Sequence, residues 1–508
     1  MGFFRSLAAL QRRAVSSNHP NWAPTTRWHA WWLDALLSGA VGGFWWVWFG
    51  STGPHYEADN AVQGAMTLRP LDSHSFYFWG QDRLGTFAAL LARPLVAFHM
   101  DAASATQVAT LFCSAVGLFF LLGLLEGWPA KVALAAFFAF PAGPMAANLC
   151  DPEVLPAFLL FAGAELRAFL WAVERPTFWR VAATSACAGL LLWIGEFGLF
   201  LLVPQVLWMA AARPLRSLRW RPVTLAALVG ALPGGLLIAF AKLHSPQVEG
   251  YGRLSPLREA FDYFFHMHKQ FAELATWPSA SLDYVGLFVL FAFGLALLWT
   301  NRERPRSRNL DALALVGPVP LIACAGTVST YWYAANQQAS RYLAFPILML
   351  VAAGLLLLDA LWDKRQTGWD RGRRWACAML GIALAMGFWF RNAPDNRAMA
   401  SEGDHWRVKL RTLEELGCHG VVAGYWNSYP FYTLSQGKLP ATPEAKDFVR
   451  NGSLAHEAVA ADVVCLIPWL ALGDQCPANI EQFGRKLALD RDVRLTVDHE
   501  FLHVCRMH

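Results

Sequence analysis

Residues 104–125 have the sequence SATQVATLFCSAVGLFFLLGLL, a run of 22 residues without a charged side chain. A helix rises about 1.5 Å per residue, so a run of this length spans the roughly 30 Å of hydrocarbon in a bilayer. Apolar runs of 17 to 22 residues recur between Asp34 and Phe390. This run and the other apolar runs of similar length therefore predict an all-α polytopic membrane domain.

The composition of the chain also indicates a membrane protein. Of the 508 residues, 56% are hydrophobic and only 16% are charged, whereas soluble proteins average about 25% charged residues. The chain has 24 tryptophans, the residue that collects at membrane interfaces. The net charge of +5 comes from arginine-rich connectors between apolar runs. This pattern excludes a soluble enzyme, a disordered chain and a nucleic-acid-binding protein.

Eleven membrane spans are predicted from the apolar runs. The run 180–212 is too long for one crossing and is interrupted near Gly195, so it is interpreted as a two-span hairpin. Residues 84–99, interrupted by Arg93 and Pro94, are predicted to form an interfacial helix. The predicted spans are 31–49, 104–125, 130–149, 154–173, two within 180–212, 223–243, 284–299, 310–328, 343–361 and 375–390.

Three arginine-rich connectors give the predicted orientation: 213–221, 302–308 and 364–374. They lie on the same side as the N-terminus only if 180–212 crosses the membrane twice. By the positive-inside rule that side is the cytoplasm. Residues 1–29 carry four arginines and no acid, which indicates a cytoplasmic tail rather than a removed signal peptide. The loops 50–83 and 243–283 and the C-terminal part are then predicted to lie outside the cytoplasm, at the plasma (inner) membrane.

From residue 391 the composition becomes that of a small α/β domain, which divides the chain into 1–390 and 391–508. Strands are predicted at 420–423 and 463–467, and helices at 404–416 and 480–488. Outside the cytoplasm the four cysteines of this domain can form disulfides, but three pairings and unpaired thiols all stay open. These cysteines are Cys418, Cys465, Cys476 and Cys505.

The first outer loop carries the main candidates for chemistry. It contains HYEADNAV at 55–62 and SFYFWGQDRLG at 75–85. Glu57 and Asp59 follow the first span directly, where solvated acids at the end of a span are the simpler interpretation. A long aromatic-rich loop is costly to order, however, unless it builds a site. The loop therefore makes Glu57, Asp59, Gln81 and Arg83 candidate site residues.

Several short segments resemble the GT-C glycosyltransferases. DNAV at 59–62, followed by FWGQDRLG at 78–85, resembles the first outer loop of a bacterial group of this superfamily. That group includes protein O-mannosyltransferase-like and lipid A aminoarabinose transferase-like proteins of glycosyltransferase family 39 type. NLCDPE at 148–153, RYLAFP at 341–346 and GYWNSYPFYTLS at 424–435 resemble further segments. Many relatives have Asp-Glu where this chain has Asp59-Asn60.

The resemblance implies an enzyme that moves a sugar from a polyprenyl-phosphate donor to an acceptor hydroxyl at the outer membrane face. The acceptor hydroxyl needs a general base, whereas the departing lipid phosphate needs cations rather than an acid. Asp59 is the predicted base, with Glu57 as the alternative. Arg341, followed by Tyr342, is predicted to hold the donor phosphate through two parallel hydrogen bonds. A snorkelling arginine at the membrane edge is the other interpretation of Arg341.

Further substrate-binding candidates are Asp151, Glu153, Glu196 and Lys242. Asp151 precedes a proline, which favours a helix cap, and Lys242 ends a span, which favours snorkelling. Glu196 either binds substrate or belongs to a hydrogen-bonded turn. No metal ligand is assigned, and a divalent cation on Asp59 with Asp151 or Glu153 is left open. The absence of a glycine-rich nucleotide loop agrees with a lipid-linked donor.

Two other classes of function stay open at this point. One is a transporter or flippase for a lipid or small solute, and the other is a non-catalytic scaffold that binds glycan. A transporter usually has paired halves and ionisable groups deep within several spans. Here the polar groups concentrate in the outer loops, which favours transfer onto a glycan, lipid or protein acceptor. The predicted partners are this acceptor, the donor lipid and the bilayer, and no nucleic acid.

Overall fold

The structure is a computed structural model of the chain. It describes residues 25–50, 56, 58–81, 84–141, 143–174, 176–211, 220–245, 253–270, 287–292, 294, 308–361, 379, 402–447, 449–467, 476–497 and 500–508. Most of the predicted spans 284–299 and 375–390, most of the arginine-rich connectors and the boundary at 390 lie outside these residues.

Up to residue 361 the described chain is almost entirely helical. Its helices are α1 (Thr25–Phe49), α2 (Ala58–Leu68), α3 (Phe87–Ala97), α4 (Ala102–Leu122), α5 (Trp128–Ala139), α6 (Gly143–Cys150), α7 (Val154–Glu174), α8 (Phe178–Ile194), α9 (Gly198–Ala211), α10 (Trp220–His244), α11 (Leu257–His266), α12 (Arg308–Val316), α13 (Val319–Val328), α14 (Tyr331–Ala335) and α15 (Ala344–Leu361). Short 3₁₀ turns cover Ser73–Phe76 and Ser340–Leu343.

Five stretches of helix among the described residues are long and apolar enough to cross a bilayer. They are Ala102–Leu122, Val154–Glu174, Pro222–His244, Leu310–Val328 and Ser340–Ala360. The count rises to six if α5 and α6 are taken as one broken span. A multi-pass membrane protein is confirmed, and the number of eleven spans stays a prediction.

Two of the long apolar runs are broken. The predicted break in 180–212 is confirmed, because α8 ends at an extended Gly195 and α9 begins at Gly198. The run 130–149 was expected to be one span but forms α5 and α6, which meet at 98°. Pro141 and Pro144 explain this bend, since a proline lacks the backbone N–H and disfavours helical geometry in the residue before it.

The C-terminal sheet domain (residues 402–508) is α/β, as predicted. It contains α16 (Glu402–Glu415), α17 (Tyr425–Leu434) and α18 (Gly452–Ala460), together with β1 (Gly420–Ala423), β2 (Ala441–Pro443), β3 (Val464–Leu466), β4 (Asn479–Gln482), β5 (Arg485–Val497) and β6 (Glu500–Met507). The strand order is β2-β1-β3-β6-β5-β4. Strand β1 is parallel to β2 and β3, and the remaining pairs are antiparallel.

The prediction of a helix at 480–488 was wrong, because this segment forms the hairpin of β4 and β5. Phe483 and Gly484 both have positive φ, 50° and 80°. Two such residues between paired strands form the turn that matches the twist of a hairpin. Burial then alternates along β5, with Leu487 buried between the exposed Lys486 and Ala488. This period of two is that of a strand.

The first outer loop and the sheet domain share one hydrophobic core. Small residues of α2, among them Ala61 and Ala65, pack with Tyr425 and Phe431 of α17. A Cβ atom on Gly64 would lie 2.3 Å from Cγ2 of Thr433, so a larger residue here would have to displace the Thr433 side chain. Disulfides Cys418–Cys465 and Cys476–Cys505 connect elements within the sheet domain. The loop and the domain are therefore held together where the polar residues of both converge.

Candidate active site

A cavity of about 700 Å³ lies between α2, the neighbouring ends of the membrane helices and the sheet domain. One part of its wall is apolar and is made by Phe158, Phe197, Leu199, Phe200, Leu254 and Phe345. The opposite part carries charged and hydroxyl groups from three distant segments of the chain. Such a cavity can hold a molecule that has both a polar head and an apolar tail.

Asp59 lies in the first turn of α2 and lines this cavity. Its Oδ1 accepts a hydrogen bond from the hydroxyl of Tyr425. Nη1 of Arg341 lies 3.8 Å from Oδ2, and Nη2 of Arg450 lies 3.8 Å from Oδ1. The carboxylate is 21% exposed, so it is accessible from the cavity while two guanidinium groups flank it.

Arg341 lies in the 3₁₀ turn that precedes α15. Its guanidinium carbon is 5.4 Å from the ring centre of Tyr342, and its side chain is 30% exposed. The hydroxyl of Tyr342 accepts a hydrogen bond of 2.9 Å from Nε1 of Trp332. Tyr342 is thereby fixed as a platform that presents the Arg341 cation to the cavity.

Tyr425 and Arg450 enter the site from the sheet domain. The backbone N–H of Tyr425 donates to Oδ2 of Asp447 at 2.7 Å. Nε of Arg450 donates to the Tyr425 hydroxyl at 3.1 Å, and its backbone N–H donates to the Tyr429 hydroxyl at 2.8 Å. Burial, followed by the nearby Asp59 carboxylate, raises the pKa of Tyr425 well above its usual range. The Tyr425 hydroxyl therefore keeps its proton and remains a donor to Asp59.

The structure brings six of the sequence-predicted site residues together around the cavity. They are Asp59, Gln81, Glu153, Glu196, Arg341 and Tyr342. Asp151 and Lys242 do not line it. Asp151 is 2% exposed, with its backbone N–H bonded to the carbonyl of Ala147. Lys242 is exposed in the last turn of α10, which agrees with a snorkelling side chain. Glu57 and Arg83 lie outside the described residues.

Sequence reasoning missed the contribution of the sheet domain to this cavity. Tyr425 and Trp426 belong to the segment 424–435 that had been noted as a motif, but the motif indicated no role for either. Arg450 and Asp447 lie in a polar stretch with no recognisable pattern. No sequence signal could have placed Arg450 beside Asp59, because their contact depends on tertiary packing.

One cluster of potential metal ligands occurs in the described part of the chain. It comprises Cys476, His503 and Cys505, whose ligand atoms lie within 4.8 Å of one another. The two sulfur atoms form a disulfide and are not thiolate ligands. Among the described residues, Asp59 forms no such cluster with Asp151 or Glu153. A divalent cation on these carboxylates stays an open alternative.

Fold and cavity together define a class of protein. It is a multi-pass membrane protein in which an α/β domain closes a polar cavity at the end of a helical bundle. No protein-family model matches the chain, and no curated protein matches its sequence.

Solved structures do match. The crystal structure of ArnT from Cupriavidus metallidurans bound to undecaprenyl phosphate is similar, with a TM-score of 0.51 and 12% identity over 93% of this chain and 97% of that chain. The apo structure of the same ArnT has a TM-score of 0.47 and 13% identity, over 88% of this chain and 94% of that chain. The arabinosyltransferase EmbB from Mycobacterium smegmatis has a TM-score of 0.39 and 13% identity, over 78% of this chain and 41% of that chain. At 12% identity the similarity to the ArnT structure with undecaprenyl phosphate shows a shared fold and nothing beyond it.

Proposed function

We propose that the protein is an integral-membrane glycosyltransferase that moves a sugar from a polyprenyl-phosphate donor to an acceptor hydroxyl. The observation that carries this proposal is the pairing of Asp59 and Arg341, 3.8 Å apart in a cavity with an apolar wall. The reaction needs a base for the acceptor and a cation for the donor phosphate. The ArnT structure, which holds undecaprenyl phosphate, supports a lipid-linked donor.

The chemistry balances with these two groups. The acceptor oxygen forms a bond to the anomeric carbon, and the bond from that carbon to the phosphate oxygen breaks. The electron pair leaves with the polyprenyl phosphate, whose charge Arg341 stabilises, and the hydroxyl proton passes to Asp59. Glycoside hydrolases need a second carboxyl group to protonate an alkoxide, but a phosphate leaves as a stable anion.

The remaining cavity residues can bind the donor. Leu199 and Leu254 of the apolar wall are 53% and 75% exposed, so the cavity has an apolar rim that suits the lipid chain. Gln81, Glu153 and Glu196 provide hydrogen-bonding groups for sugar hydroxyls. The acceptor can be a glycan, a lipid or a protein, because all three offer a hydroxyl.

The proposed location is the plasma (inner) membrane, with the N-terminus in the cytoplasm and residues 391–508 outside it. The two disulfides of the sheet domain support this location, since disulfides persist in oxidising compartments. The donor and acceptor would then meet at the outer membrane face.

Substitution of Asp59 tests the base. Asp59→Asn keeps the size of the side chain and removes the proton acceptor. We expect transfer to fall by about 10²–10⁴-fold, while binding of undecaprenyl phosphate stays at or above the wild-type affinity. Transfer is measured with the lipid-linked sugar that accumulates in cells lacking the protein. Asp404→Asn, an exposed carboxylate of the sheet domain, is the matched control. Normal transfer by Asp59→Asn would overturn the proposal.

Substitution of Arg341 tests the donor site. Arg341→Ala should weaken binding of undecaprenyl phosphate by about tenfold or more, since a charged hydrogen bond contributes about 1.5–3 kcal/mol. Arg341→Lys should restore only part of the affinity, because an ammonium lacks the planar fork. Unchanged binding by Arg341→Ala would leave Arg341 as a membrane-edge residue. The wild-type protein should also release undecaprenyl phosphate, which a transporter or scaffold would not do.

A further inference from the structure

The two arginines beside Asp59 differ in how firmly they are held. Arg341 is 30% exposed, whereas Arg450 is 8% exposed. The guanidinium carbon of Arg450 lies 5.3 Å from the ring centre of Phe78 and 5.2 Å from that of Tyr425. Gly80 approaches its aliphatic stem so closely that an added Cβ would be 3.0 Å from Cδ. Arg341 therefore faces the cavity, and Arg450 is part of its wall.

Arg450 reaches Asp59 mainly through Tyr425. Its Nε donates to the Tyr425 hydroxyl, which in turn donates to Oδ1 of Asp59. The hydroxyl thus accepts one hydrogen bond and donates another, and its only proton is directed at the carboxylate. Oδ1 of Asp59 is occupied by this bond, while Oδ2 lies on the side of Arg341.

We propose that Tyr425 and Arg450 are positioning residues that fix Asp59, so that Oδ2 is the oxygen that takes the acceptor proton. The sheet domain then supplies part of the catalytic machinery, because the site is incomplete without its two side chains. This inference rests on the proposed role of Asp59 as general base. It adds to the carboxylate a chain of two hydrogen bonds, from Arg450 to Tyr425 and from Tyr425 to Asp59, which begins in the sheet domain.

The separate effects on kcat and on KM distinguish positioning from simple structural support. The charged and titratable groups placed beside Asp59 are Arg341, Tyr342, Tyr425 and Arg450. Tyr425→Phe removes the hydrogen bond that holds Oδ1, so the carboxylate is no longer fixed in the geometry for proton transfer. At neutral pH kcat should fall by about tenfold, with KM for the donor changed less than about twofold.

Arg450 variants test the end of this hydrogen-bond chain that lies away from Asp59. Arg450→Met should lower kcat, as Tyr425→Phe does. Arg450→Lys should restore part of kcat because it keeps the positive charge. The double variant Tyr425→Phe with Arg450→Met should be less impaired than the product of the single effects, because both act through one bond to Asp59.

Arg69 offers a matched control. It makes a two-pronged ion pair with Glu457, at 2.8 Å and 2.5 Å, and so also joins the segment directly after α2 to the sheet domain. It does not line the cavity. Arg69→Met should lower the melting temperature while leaving kcat for transfer unchanged. If Arg69→Met reproduced the fall in kcat, the effect would come from docking of the domain and the positioning role would be rejected.

The failure of this inference differs from failure of the proposed function. A wild-type kcat in Tyr425→Phe and Arg450→Met, with transfer abolished in Asp59→Asn, would overturn positioning alone. Normal transfer in Asp59→Asn would overturn the general base and this inference together. Tyr425→Phe removes a single oxygen atom, so it provides the decisive measurement even if Arg450→Met fails to fold.

Discussion

Gly80 occupies a position where no other residue fits well. Its φ is +70°, a left-handed conformation that disfavours any residue with a Cβ. An added Cβ would also lie 3.0 Å from Cδ and 3.5 Å from Cα of Arg450. Two physical features therefore favour glycine in the FWGQ segment: the left-handed backbone conformation and the close contact with Arg450.

We expect Gly80→Ala to impair both stability and transfer. The left-handed conformation costs a residue with a Cβ about 1–2 kcal/mol, and the methyl group must displace Arg450. Transfer should therefore fall by at least several-fold, and the melting temperature should drop. Gly484→Ala is the control, since Gly484 has φ +80° with no atom near its Cβ position. If both variants lost transfer equally, backbone strain alone would explain the effect.

At the scale of the element, the hairpin at β4 and β5 shows why local patterns can mislead. Ile480, Phe483 and Leu487 have the three- and four-residue spacing of an amphipathic helix. The same residues fit a hairpin once Phe483 and Gly484 form the turn. The choice depends on pairing with β6, a contact that lies beyond any local window. By contrast β1, a continuous buried run, was predicted with its observed bounds.

The candidate site shows the same division between local and long-range information. Asp59 and Arg341 lie in recognisable segments next to apolar runs, so the sequence predicts them. Tyr425 reaches Asp59 across 366 positions of sequence, and only the packing of α2 against α17 creates that contact. The approximate positions of most membrane helices and the motif residues were thus predictable, whereas the completed site was not.

The disulfides allow a prediction for the sheet domain. Cys418–Cys465 closes a separation of 47 residues, and Cys476–Cys505 closes one of 29. In the chain-entropy model, a loop of the larger size contributes about 4 kcal/mol to stability. We expect Cys418→Ser with Cys465→Ser to lower the melting temperature strongly.

Thiol counting checks the pairing directly. Reduction of the denatured protein should raise the number of alkylated cysteines by four, and peptide mapping should identify Cys418, Cys465, Cys476 and Cys505. Four other cysteines among the described residues, in the membrane helices, are free and should react without reductant once the protein is denatured. Full reactivity of all nine cysteines before reduction would contradict both bridges.

At the scale of the whole molecule, the transmembrane part and the sheet domain act as one unit. The α2 helix has a core in common with the sheet domain, and the Arg69–Glu457 pair adds a charged contact between them. The cavity is enclosed only when both parts are in place, because its polar wall includes Tyr425, Asp447 and Arg450. The side of the membrane that holds the sheet domain is therefore the side on which the proposed reaction takes place.

The positive-inside rule predicts that this side is the outer one. Connectors 213–221, 302–308 and 364–374 contain most of the arginines between the apolar runs, and an odd number of crossings places them opposite the sheet domain. A reporter active only in the cytoplasm should be silent when fused after His508. A reporter active only in the periplasm should be active there, and the reverse should hold for fusions within 364–374. Strong cytoplasmic activity at His508 would move the sheet domain inside, where its disulfides would be reduced, and the cavity would then lie on the cytoplasmic side.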